Sequence, residues 1–163
     1  AFTFATLLKR RTLLIDGNPS APRLHRIFSL PERPGLSDVM LDKVSADDAI
    51  RPHPDGSLAI LPIGSRDTSW LEWEHPARLQ QELERLGRRF ESIIVDGSSV
   101  FGEADASVIS RSFDGVLLVI ECEKTRWEVV ASAQERLQRA GAQLFGTVLN
   151  KRRYHIPQGI YEK

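Results

Sequence analysis

Four stretches of this chain are apolar almost without interruption: "TLLID" (12–16), "LAILPI" (58–63), "SIIVD" (92–96) and "GVLLVIE" (115–121), with "LFGTVLN" (144–150) as a weaker fifth. A strand with one solvent face alternates apolar and polar residues. A run that does not alternate has no face to give to water and suits a parallel sheet covered on both sides.

Between the runs lie segments of helical period: "PARLQQELERLGRRF" (76–90), "EADASVISRSF" (103–113) and "TRWEVVASAQERLQRAGAQ" (125–143). In the first, Leu79, Leu83, Leu86 and Phe90 recur at threes and fours, giving one apolar and one charged face. Pro76 suits a first helical turn and Gly141 a C-terminal cap. Strand and helix in alternation predict an α/β fold, doubly wound, with a mostly parallel sheet flanked by helices and right-handed crossovers. At 163 residues and 41% hydrophobic, the chain is long enough for one core, and a single domain over residues 1–163 is expected.

Residues 23–51 read as short helices punctuated by Pro and Gly, as in "LPERPGLSDVM" and "SADDAI". Ser37 and Ser45 are the expected N-caps, the second followed by Asp47 and Asp48 in the first turn. "WLEWEH" (70–75) carries no clear pattern.

Basic and acidic side chains both number 22, so no bulk charge draws the protein to nucleic acid, and any anion site must be local. The single cysteine, Cys122, rules out an internal disulfide framework and is expected to be a buried small hydrophobe in a reducing, cytosolic compartment. No apolar run approaches the roughly 20 residues of a spanning helix. No membrane span is expected in these residues.

In an open parallel sheet, ligands sit outside the carboxyl ends of the strands, where loop amides and helix N-termini converge. Asp16 ends the first apolar run, Asp96 the third and Asn150 the fifth. Two carboxylates ending different strands suit a nucleotide site, since a carboxylate there can hold magnesium or orient a nucleophile. Each could also simply cap the turn that follows it.

With these residues in place, "TLLIDGNPSAPRLHRIFSLPERPGLSDVM", "ESIIVDGSSVFGEADASVISRSFDGVLLVIECEKTRWEVV" and "GTVLNKRRYHIP" resemble the cytoplasmic domain of the bacterial tyrosine kinases of capsule and exopolysaccharide synthesis. That family lies within the P-loop ATPases that include the Min and Par positioning proteins. The resemblance implies a P-loop NTPase-type fold and ATP or ADP with Mg as cofactor. It implies that Asp16 and Asp96 act around the metal and in catalysis, and that Asn150, with Arg152 nearby, contacts the nucleotide base. As partner it implies a membrane chain-length (polysaccharide co-polymerase) protein, with possible homo-oligomers. The location implied is cytoplasmic, peripheral at the inner membrane through that partner.

The departures from the family pattern are specific. Its second motif has an Asp-x-Asp pair followed by arginine; here the second acid is Asn18, and Ser20 and Ala21 stand where arginine is expected. The Pro-Pro of its third motif is Ser98-Ser99. An amide is neither a base nor a charged metal ligand. No G-x-x-x-x-G-K-[ST] phosphate loop occurs, and "AFTFATLLKRR" looks like the helix that would follow one, closed by Lys9, Arg10 and Arg11. A strand and phosphate loop upstream of these residues are therefore expected. The family phosphorylates a tyrosine-rich tail, whereas the end of this chain offers Tyr154 and Tyr161, which read as packing residues.

The expected function is thus a polysaccharide-synthesis protein of the tyrosine-kinase type, weak or inactive as a kinase and switched by nucleotide-dependent assembly. The alternatives are an active autokinase with an upstream phosphate loop, a Min/Par-like positioning ATPase, and an interaction module without nucleotide. The basic residues after Asp16, namely Arg23, His25, Arg26 and Arg33, are expected to be solvated.

Overall fold

The computed structural model describes residues 1–65, 67, 69, 76–102 and 106–152. "WLEWEH", the start of the helix expected at 103–113, and both Tyr154 and Tyr161 lie outside the described residues.

Thirteen elements follow in the order α1 (Phe2–Thr6), β1 (Thr12–Gly17), α2 (Leu24–Ile27), α3 (Leu36–Met40), α4 (Ala46–Ala49), β2 (Arg51–Pro52), β3 (Leu58–Leu61), α5 (Pro76–Gly87), β4 (Ser92–Gly97), α6 (Ala106–Ser110), β5 (Val116–Glu121), α7 (Trp127–Arg139) and β6 (Leu144–Asn150) among the described residues. All five apolar runs are strands. β1 pairs in parallel with β3 on one side and β4 on the other, β5 pairs in parallel with β6, and the two-residue β2 adds an antiparallel edge to β3.

The first sheet is covered on both faces, as its continuous apolar runs require. Leu13, Ile15, Ala59 and Leu61 point into a core with Leu36, Val39 and Met40 of α3, Ala46 and Ala49 of α4, and Leu79 and Leu86 of α5. The alternate residues Leu58 and Ile60, with Leu14, meet Ala5 of α1 and Leu24 of α2 on the other face. Helices on both faces make this a doubly wound α/β fold with a mostly parallel sheet.

The second sheet departs from the expected two-sided burial. Leu117 and Val119, on one face of β5, are 61% and 60% exposed, while Ile120 on the other face is buried. α7 lies over the buried face, where Gln134 Nε2 donates to Thr147 Oγ1 at 3.4 Å. The open face goes with a break in the sheet: α6 connects β4 to β5, yet the two strands are not paired, and each keeps an unpartnered edge among the described residues.

Several local expectations hold. α5 begins at Pro76, and its Leu79 and Leu86 are buried while Leu83 and Phe90 pack against the same core. Gly141 follows the end of α7 with φ of 82°, its N–H donating to the Gln138 carbonyl. Ser45 caps α4, its Oγ accepting the Asp48 N–H at 3.2 Å.

Others are corrected. Ser37 is not a cap: the chain enters α3 two residues earlier, at Gly35, and Ser37 is buried inside it. α1 ends at Thr6, and Lys9 has φ of 53°, so Lys9, Arg10 and Arg11 follow the helix rather than close it. Arg11 instead ties the start of β1 to the residue before β4: its backbone N–H donates to Glu91 Oε2 at 3.0 Å, and its carbonyl accepts the Glu91 N–H at 2.8 Å. Cys122 is only half-buried, because β5 ends one residue before it. No helix among the described residues is long and apolar enough to cross a membrane.

Candidate functional site

The carboxyl edge of the first sheet is built by strand register. β1 and β4 run parallel with Asp16 directly opposite Asp96 and Gly17 opposite Gly97. The two carboxylates named from the sequence, far apart along the chain, are therefore neighbours in space.

Their environments differ. Asp16 is fully buried, and its Oδ1 accepts the Asn18 N–H at 3.2 Å while Oδ2 accepts the Arg23 and Leu24 N–H groups at 3.0 Å each. Asp96 is exposed, and no donor among the described residues reaches its carboxylate. Partial loss of water pushes the Asp96 carboxyl above its ordinary value, the Asp16 charge pushes it the same way, and the Arg23 charge pulls it back.

Asn18 and Ser98 close the gap between the strand ends. Asn18 Oδ1 accepts the Ala21 N–H at 3.1 Å, and Ser98 Oγ lies 3.4 Å from both Asn18 Oδ1 and the Gly17 carbonyl. The residue in place of a second acid is thus engaged in a neutral contact between strands. It cannot take up a proton there.

A second anchor lies along the same edge, after β3. Asp38, 3% exposed, accepts from Arg33 Nη2 at 3.1 Å, from the Gly35 N–H at 3.1 Å and from the Ser65 N–H at 3.3 Å. Burial would raise its carboxyl, but these donors, Arg33 first, hold it below the ordinary value. The sequence reading did not single out Asp38. An acid placed among the apolar residues of "PGLSDVM", three after a glycine, was the available signal.

The other candidates lie on the second sheet. Asn150 ends β6 in register with Glu121, is exposed, and its Oδ1 accepts the Lys151 N–H at 2.8 Å. Glu121 holds Lys124 and Lys151 at 3.3 Å each, and Arg152 is exposed beside them. The structure brings Asp16 and Asp96 together and places Asn150 and Arg152 together at the carboxyl end of the other sheet. Of the basic residues expected in solvent, Arg23, Arg26 and Arg33 are exposed, whereas His25 is buried on the inner side of α2.

The titration of Asp96 makes a prediction with a definite sign. A carboxyl raised in the folded state binds its proton more tightly there than in the unfolded chain. Its contribution to stability is therefore largest below the ordinary carboxylate range and is lost as pH rises through the folded value. Asp96→Asn should be more stable than the parent at pH 7, with the difference shrinking toward pH 4 in urea titrations. A pH-independent difference would refute this.

A parallel sheet with helices on both faces is also the fold of the MinD proteins. The septum site-determining protein MinD of Pyrococcus horikoshii, solved with Mg-ADP, superposes with a TM-score of 0.69 at 22% identity over 93% of this chain and 63% of that one. By sequence, the relatives of this chain include bacterial tyrosine-protein kinases. CapB of Staphylococcus aureus, which carries a tyrosine-protein kinase name, is 30% identical over 141 residues, 86% of this chain and 62% of CapB. The succinoglycan biosynthesis transport protein ExoP of Rhizobium meliloti is 28% identical over 158 residues, 93% of this chain and 20% of ExoP. The BceF tyrosine kinase domain superposes with a TM-score of 0.78 at 30% identity, over 90% of this chain and 59% of that domain. The chain thus spans less than two thirds of these relatives' length. No protein-family model matches it.

Proposed function

We propose that this chain is the nucleotide-binding part of a capsule or exopolysaccharide synthesis protein of the bacterial tyrosine-kinase type. It binds ATP or ADP with Mg at the carboxyl edge of β1 and β4, and regulates polymerisation or export by nucleotide-dependent assembly with a membrane chain-length protein. As a kinase it is weak or inactive.

The observation that carries the proposal is the in-register pairing of Asp16 with Asp96 at adjacent strand ends. Magnesium in nucleotide sites is held by one or two carboxylates together with phosphate oxygens, and its chemistry there is to neutralise phosphate charge. Asp96 has both oxygens open and fits as the direct ligand. Asp16, with three backbone N–H groups already on its oxygens, fits as a buried charge behind it. Asn150 and Arg152 are the proposed contacts to the base.

Two features support the finer points. The break between β4 and β5, with Leu117 and Val119 open to solvent, supports a phosphate loop and one more parallel strand supplied by chain outside these 163 residues. The neutral Asn18–Ser98 contact, where the family pattern has an acid, supports weak phosphoryl transfer.

Thermal unfolding of the full-length protein with Mg-ADP tests the nucleotide site. At 100 times its dissociation constant a ligand adds about 2.7 kcal/mol of apparent stability, a shift of a few degrees. The shift should be lost in Asp96→Asn. Absence of any shift at millimolar nucleotide would leave an interaction module without nucleotide, and strong Asp96-dependent tyrosine phosphorylation would establish the active autokinase instead.

A further inference from the structure

Charge is unevenly spread along a chain that is neutral as a whole. Residues 1–31 hold Lys9, Arg10, Arg11, Arg23 and Arg26, all exposed, against a single acid, Asp16, which is buried. α1 and α2 lie side by side on one face of the first sheet: Ala5 and Leu24 share a core, and Phe2 and Phe28 each meet the His53 ring edge-on, at 6.2 and 5.7 Å. His53 in turn sits beside the start of β3, its N–H donating to the Leu58 carbonyl at 2.8 Å. The residues after α1 form an ordered turn into the start of β1. There the Leu7 and Leu8 N–H groups donate to the Thr3 carbonyl and that of Arg10 to the Phe4 carbonyl, with Lys9 at φ of 53°. This turn holds Leu7 75% and Leu8 57% exposed, directly before Lys9 and Arg10. On α2, Arg26 and Ile27 are exposed as well. Glu91 pairs with Arg11 at 3.6 Å, and no carboxylate among the described residues comes within ion-pair distance of Lys9, Arg10 or Arg26.

We infer that the Leu7–Arg10 turn, with Arg26 and Ile27 of α2, is a docking surface for an anionic phospholipid bilayer. Exposed leucines followed by cations suit the boundary between headgroups and acyl chains, where the apolar side chains enter and the cations meet anionic headgroups. A side chain three-quarters open to water can enter such a boundary, whereas the anchor of a peptide partner needs a pocket around it. A second copy fits less well, because a two-fold contact sets a patch against itself and would bring Lys9, Arg10 and Arg26 of both copies together with no carboxylate between them. The surface lies at the start of β1, at the opposite end of the strand from Asp16 and Asp96. Lipid and nucleotide therefore do not compete, and the inference stands apart from the nucleotide-binding function proposed above.

The test is co-sedimentation of the full-length protein with vesicles of phosphatidylcholine, alone or mixed with phosphatidylglycerol. Mixed vesicles should hold the parent, and less so as salt is raised. The triple variant Lys9→Gln, Arg10→Gln, Arg26→Gln should bind them about a hundredfold more weakly, at roughly fivefold for each cation near an anionic surface. Leu7→Ser with Leu8→Ser should weaken binding about tenfold. Both variants should unfold at the parent midpoint and respond to Mg-ADP as the parent does, so the vesicle result is readable whether or not the nucleotide site works. A parent that ignores mixed vesicles, equal binding to both kinds, or mixed-vesicle binding unchanged in the variants overturns the inference. Three further outcomes overturn it by assigning the surface elsewhere. A lower unfolding midpoint in the leucine variant gives it to the protein's own chain, and loss of a dimer in ultracentrifugation gives it to a second copy. Binding to polyglutamate without binding to mixed vesicles gives it to an acidic polypeptide.

Discussion

Asp16→Ala should cost about 3 kcal/mol or more of folding stability, because it strands three backbone N–H groups at the end of β1. Each unsatisfied buried donor costs about 1–3 kcal/mol, and water can reach the Asn18 and Arg23 amides more easily than that of Leu24. Urea titration should show a lower midpoint, with faster amide exchange confined first to residues 18–24. If Asp16→Ala unfolds at the parent midpoint, the carboxylate is not an anchor. The expected loss also bears on function. A dead Asp16→Ala protein would report a collapsed turn as readily as a missing catalytic group, so Asp96→Asn, at an exposed carboxylate, is the cleaner probe of the nucleotide site.

Gly35→Ala should be comparably damaging for a steric reason. A Cβ at Gly35 would stand 2.3 Å from the Gly64 nitrogen and 2.4 Å from the Pro62 carbonyl oxygen, both backbone atoms that cannot rotate away. The same approach carries the Leu36 N–H to the Pro62 carbonyl and the Ser37 N–H to the Ile63 carbonyl, each at 2.8 Å. Opening it would also pull Asp38 from the Gly35 and Ser65 amides. A loss of about 3 kcal/mol is expected, at the upper end of the overpacking range. Gly87→Ala is the control: nothing lies within 4 Å of a Cβ at the end of α5, and the change should gain a few tenths to 1 kcal/mol. Equal effects at the two glycines would refute the steric account.

The strands and the main helices were legible because burial on two faces leaves a mark in composition. "TLLID" and "LAILPI" can be apolar throughout only if both sides of the sheet are covered, and β1 and β3 are covered by helices on both sides. The same rule misjudged β5, whose Leu117 and Val119 are as apolar as a covered strand but open to solvent here. Apolar composition records what a strand is suited to pack against, and the Leu117 and Val119 side of β5 is left uncovered among the described residues.

At the site, strand-end position was enough to select Asp16 and Asp96, since a parallel sheet brings the carboxyl ends of its strands to one edge. Their division of labour was not readable. Asp16 and Asp96 follow similar apolar runs, and only the return of the chain through Arg23 and Leu24 onto one of them buries it and fills its oxygens. Asp38 and His25 were missed for a related reason: a polar side chain among short helices looks solvated until the loops that cover it are placed.

By itself the sequence determined the strands, their parallel sense, the helices between them and the two acids at the β1 and β4 ends, because period and run length are local consequences of which faces meet water. Tertiary structure alone decided that the sheet divides between β4 and β5, that Gly35 packs on Gly64, and that Asp16 holds a turn while Asp96 stays open. Those outcomes depend on contacts between residues far apart in the chain, and no local pattern encodes which carboxylate the returning backbone will reach.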